Sequence, residues 1–159
     1  MTDRGGVTPE GFDDADSESF DLAVLEPPSG LRDFRSHLIS VDICERLEAR
    51  GIRCFVLDLR GVSDKAGLLE TWAESIGAPE WVGRNWDAMD EVMRDLSWAR
   101  ADRYVVIVTG ARALARADPK SWRVGLDILR GAVAEWDSRG VPMLVLVRGV
   151  RVGSDAGKS

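Results

Sequence analysis

From Ile52 onward, short apolar runs alternate with stretches whose apolar residues recur every three or four positions, the pattern of strands alternating with helices. Cys54-Phe55-Val56-Leu57-Asp58-Leu59 predicts a strand. Leu68, Leu69, Trp72 and Ile76 then mark a helix, capped by Ser63 and ended by Gly77-Ala78-Pro79. A second helix is expected from about Asn85 to about Leu96, with Trp86, Met89, Met93 and Leu96 forming a core-facing stripe. The β-branched run of Tyr104-Val105-Val106-Ile107-Val108-Thr109 reads as a buried strand. A long helix from about Pro119 to Ser138 follows, carrying Trp122, Val124, Leu126, Leu129, Val133 and Trp136 and stopped by Gly140, and Met143 to Val147 gives a last strand. Strand, helices, strand, helix, strand implies parallel pairing through crossovers, hence an α/β domain with a three-stranded parallel sheet packed with helices.

Upstream, the pattern is weaker. Residues 1–19 combine Gly, Pro, Asp, Ser and Thr with almost no apolar periodicity and are expected to be a disordered acidic lead-in. Phe20 to Leu25 alternates enough for a short strand, stopped by Pro27-Pro28-Ser29-Gly30. Ser40 is the expected N-cap of a helix reaching about Ala49, with Ile43, Cys44 and Leu47 on one face and Gly51 as its stop. Residues 20–50 thus form an extension that offers the sheet an extra strand and helix, residues 51–150 the α/β domain, and residues 151–159 a flexible tail.

Composition narrows the function classes. With 159 residues the chain fits one domain and an appendage. Its longest apolar run, Val141 to Val147, is far shorter than the roughly 20 residues that cross a bilayer, so no membrane association is expected. The first residues lack the basic and apolar regions of a secretory signal, which points to the cytoplasm. Cys44 and Cys54 are too few for a disulfide framework and are expected to be buried reduced thiols. Of the formal charge of −6, residues 1–50 carry twelve acids against five bases, whereas residues 51–150 hold fourteen of each. The domain therefore lacks the basic stripe that phosphate binding needs, and nucleic acid is not expected as a direct ligand. His37 has no serine or cysteine at nucleophile spacing, and no glycine-rich phosphate loop lies between a strand and a helix. Neither a metal nor another cofactor is expected.

Carboxylates do gather on the second helix. At about 100° per residue, Asp87, Glu91 and Asp95 fall on the side opposite Trp86, Met89 and Met93 and face solvent, with Asp90 and Arg94 beside them. Like charges at this spacing cost a helix roughly 0.2–0.5 kcal/mol per pair, a cost that a cationic target would offset.

The segment Ala78-Pro79-Glu80-Trp81-Val82-Gly83-Arg84-Asn85-Trp86-Asp87-Ala88-Met89 resembles the signature of the barstar family: Pro-Glu, an aromatic, then Gly-x-Asn-x-Asp-Ala at the entry to the second helix. The resemblance extends over about residues 53–148. It implies a monomeric inhibitor, not an enzyme, that covers the active site of a basic, barnase-type ribonuclease with an acidic helix and loop. Carried over by motif, the partner-binding residues are Trp81, Gly83 and Asn85 of the loop, Asp87 and Glu91 of the helix, and Glu135 of the last long helix. Three positions depart from the family pattern: Glu91 replaces an aspartate, Asp90 stands where an aromatic is typical, and Arg84 occupies a loop position that is often acidic or neutral. The other reading the sequence supports is a barstar-like scaffold with a regulatory or scaffolding role.

Overall fold

The computed structural model describes residues 22–152. The lead-in of residues 1–19, Phe20 and Asp21, and the tail from residue 153 lie outside the described residues. Four parallel strands form one sheet: β1 (Gly30–Asp33), β2 (Arg53–Asp58), β3 (Tyr104–Thr109) and β4 (Met143–Val147), in the order β1-β4-β3-β2. The additional edge strand is thus Gly30–Asp33. Leu22–Leu25, within the segment expected to be a strand, is instead a turn of 3-10 helix. β1 occupies the edge of β4, and the Glu26 amide folds back onto the Ala23 carbonyl (2.9 Å), so the preceding segment has no ladder to join.

The register explains the sequence pattern. Phe55, Val106, Val145 and Leu31 line up across the sheet, all facing the larger core. That face is covered by α2 (Lys65–Ser75), α3 (Trp86–Asp95) and α5 (Pro119–Ser138), through residues such as Trp72, Met89, Met93, Leu129 and Trp136. The opposite face, carrying Val105, Ile107, Leu144 and Leu146, is covered by α1 (Ser40–Glu48) through Ile43, Cys44 and Leu47. β3 and β4 are therefore buried on both sides, which is why they read as unbroken apolar runs while the edge strand β2 alternates.

Several local expectations are corrected. Cys44 and Cys54 are not free thiols but form a disulfide, with Cα atoms 5.2 Å apart. A turn through Gly51, whose φ is +81°, returns the chain directly beneath α1 and sets the two side chains face to face. The cap of α2 is Asp64, accepting from the Gly67 amide (2.8 Å), and not Ser63. Ile39 precedes α1 without a side-chain cap, and Ser40 instead accepts from Arg148 Nη1 (2.9 Å). A short helix, α4 (Arg112–Ala117), went unpredicted because only Leu114 of its six residues is buried, too little to make a stripe.

Tyr104 closes the larger core at the start of β3. Its hydroxyl donates to the Ala99 carbonyl (3.0 Å) and accepts from the Ala101 amide (3.1 Å), and burial pushes its pKa up. A raised folded value means that this group's contribution to stability is complete below the free tyrosine value of about 10 and is lost as pH rises through the folded one. Tyr104 is the chain's only tyrosine, so phenolate absorbance reports on it alone. Ionisation is expected to be delayed beyond the free value and to coincide with loss of far-ultraviolet dichroism. A free-tyrosine titration with the fold intact would contradict this.

Candidate functional site

The loop between α2 and α3 is built by sending one neighbour in and the other out. The Val82 amide closes a turn onto the Pro79 carbonyl (3.0 Å) and its side chain is buried, which leaves the preceding Trp81 projecting, 79% exposed. Asn85 ends the loop as the N-cap of α3, its side-chain oxygen accepting from the Ala88 amide (2.8 Å). Gly83 is not among the residues with positive φ; a Cβ there would lie 2.9 Å from Asn85 Nδ2, so the capping side chain would have to shift. Trp86, the first residue of α3, is half-buried against the core, with the Lys65 ammonium 5.3 Å from its ring centroid.

Arg84 is held within the fold. It pairs with Glu70 of α2 (3.0 Å) and donates to the Val82 carbonyl (2.7 Å), so its charge is partly answered and it braces the loop.

On α3 the acids divide into two sets. Asp87 and Glu91 are exposed, one helical turn apart, and among the described residues neither forms an ion pair or a side-chain hydrogen bond. Asp87 also sits in the first turn, where the helix dipole favours a negative charge. Asp95 has a local task, accepting from the amide (3.2 Å) and hydroxyl (2.8 Å) of Ser97 as the helix ends. Asp90 is bound to Arg94 (3.2 Å).

Arg94 continues across to α5 and reaches Glu135 Oε1 (3.5 Å), while Arg139 holds Glu135 Oε2 through Nη2 (3.0 Å) and Nε (3.2 Å). Glu135 is therefore set between two arginines, its side chain 36% exposed. The helices are fixed in this relation by Trp136, whose buried indole nitrogen donates to the Met93 carbonyl (2.8 Å) near the end of α3. A shallow groove of about 450 Å³ lies beside the last turns of α3, lined by Trp81, Glu91, Val92, Arg94, Asp95 and, from just past the end of α5, Arg139.

The structure thus brings Trp81, Gly83, Asn85, Asp87 and Glu91 onto one continuous loop and helix face. Glu135, on the neighbouring helix, is joined to that face through Arg94 and Arg139, which line the groove. Sequence reasoning passed over Arg139. The four-residue spacings of Asp90 to Arg94 and Glu135 to Arg139 were visible, but the bond joining the pairs spans 41 residues and has no local sign. Among the described residues no group of three or more His, Cys, Asp or Glu is placed to hold a metal ion, and no helix is long and apolar enough to cross a membrane.

Residues 52–148 match the family model described as Barstar (barnase inhibitor), a span that contains β2 through β4 and all the surface residues above and leaves β1 and α1 outside. A search of curated proteins gives no match.

Proposed function

Because this chain belongs to the barstar family, whose model is described as a barnase inhibitor, we propose that it is a protein inhibitor of a secreted, guanyl-type ribonuclease of the barnase kind and not itself an enzyme. It binds as a monomer, in the cytoplasm of the producing cell. The binding surface is the loop residues Trp81, Gly83 and Asn85, the α3 acids Asp87 and Glu91, and, at its edge, Glu135. The observation that carries the reading is the pair Asp87 and Glu91, exposed and without a described partner.

A ribonuclease active site holds a phosphodiester with Arg, Lys and His. Two carboxylates spaced along a rigid helix can occupy those positions through charge-assisted hydrogen bonds and so stand in for phosphates. Trp81 supplies an amphipathic anchor beside them, of the residue type enriched at interface centres. Complementary charge also speeds the encounter, an effect for which the barnase complex is itself the reference case.

Titration of the protein into the guanyl-type ribonucleases secreted by its own source tests the proposal. RNA cleavage should stop at one inhibitor per enzyme at low ionic strength, and association should slow as salt shortens the screening length towards about 10 Å at 0.1 M. Absence of inhibition at low salt would overturn the reading in favour of a regulatory or scaffolding module, for which the paired state of Glu135 and Arg84 speaks.

A further inference from the structure

The second acidic arm of the surface is answered within the molecule, and the device that answers it is firmly built. Arg139 is fixed by two side-chain interactions and favoured by its place on the helix. It places two donors on Glu135 Oε2, its guanidinium lies 4.5 Å from the Trp136 ring centroid, and it occupies the C-cap position of α5, where the helix dipole favours a cation. Arg94 supplies the third donor, to Oε1, and is itself held by Asp90. Gly131 on α5 leaves it room: a Cβ there would lie 2.8 Å from Arg94 Nη2. A carboxylate offers about four lone-pair sites, and three of Glu135's are taken. The Asp90, Arg94, Glu135 and Arg139 set has no net charge, whereas Asp87 and Glu91 keep theirs.

We propose that Arg139, acting with Arg94, is a specificity determinant: it withholds Glu135 from the partner and presents a cation at that edge, so this chain selects a ribonuclease that carries a carboxylate or a neutral side chain there and discriminates against one that carries arginine. This rests on the inhibitor reading and deepens it. An arginine arriving at the α5 edge meets a like charge held in place, and it can reach Glu135 only by displacing Arg139 from both its carboxylate and its aromatic neighbour. Juxtaposed like charges of this kind act as a barrier against the wrong partner. The surface is accordingly two-toned, acidic along the exposed side of α3 and neutral where Arg94 and Arg139 answer Asp90 and Glu135.

Barnase, which the matching family model names and whose basic active site the resemblance sets against the Glu135 position, is the probe. Three proteins are compared with the unmodified chain for inhibition of RNA cleavage: R139Q, the double variant R139Q/E135Q, and R139Q with both α3 acids replaced (D87N and E91Q). Removing the Arg139 charge frees Oε2 for a charge-assisted bond to the enzyme, so R139Q is expected to inhibit barnase roughly tenfold or more tightly than the unmodified chain. The gain should vanish in R139Q/E135Q. If R139Q inhibits no better than the unmodified chain, or if its gain survives replacement of Glu135, the specificity proposal is overturned. If R139Q gains as expected but replacing the α3 acids does not weaken it, the proposal stands and the acidic-helix reading falls.

Discussion

Replacing Asp87 by Asn and Glu91 by Gln together is expected to weaken inhibition of the cognate ribonuclease by a hundredfold or more while leaving thermal stability within roughly 1 kcal/mol of the unmodified chain. Each hydrogen bond to a charged partner contributes about 1.5–3 kcal/mol, so losing two corresponds to roughly two to four orders of magnitude in affinity. Stability barely changes because neither side chain has a described intramolecular partner to lose. Asp87 gives up a favourable dipole interaction of about 0.3–1 kcal/mol, and relief of the repulsion from Glu91 at i, i+4 returns about 0.2–0.5 kcal/mol. Inhibition constants and calorimetric melting on the same samples check both halves. A large fall in melting temperature would show that these acids support the fold.

Deleting residues 1–50 is expected to abolish cooperative folding, although the family match begins only at residue 52. The deletion removes β1 from the edge of β4 and strips α1 from the face carrying Val105, Ile107, Leu144 and Leu146. These four are fully buried, as are Ile43 and Leu47 above them. Burial of each such side chain contributes about 1.5–3 kcal/mol, and a domain's whole margin is only about 5–15 kcal/mol. Sheet faces left bare in this way also associate. The 51–159 fragment should therefore lack a sigmoidal unfolding transition in urea and bind hydrophobic dyes; a soluble fragment with a sharp transition would show that the larger core suffices. With that outcome, loss of inhibition on truncation would report loss of the fold and not a partner site in the extension.

The legible parts of the sequence were those with a local cause. β3, β4 and α5 were readable to the residue because an unbroken β-branched run, and a long apolar stripe bounded by Pro119 and Gly140, leave no competing conformation. The start of α3 at about Asn85 was equally plain. What escaped was non-local. Gly30-Leu31-Arg32-Asp33 has no strand pattern of its own and is extended because β4 offers it an open ladder. The Cys44 to Cys54 bond depends on α1 folding over β2, which composition does not reveal. At the surface, loop and helix residues could be placed from the motif, but the state of Glu135 could not, since it is set by Arg94 on another helix and by Arg139 stacked over Trp136.

The exposed side of α3 and its leading loop are the surface we propose meets the nuclease. Backbone amide and tryptophan side-chain resonances, followed by NMR while unlabelled cognate ribonuclease is added, test it most directly. The Trp81 indole and the amides from Gly83 through Glu91 should shift or broaden first, with smaller changes at Glu135 and Arg139 and none along α1. Perturbations gathered on α1 or the β1 edge, with the Trp81 indole unmoved, would contradict it.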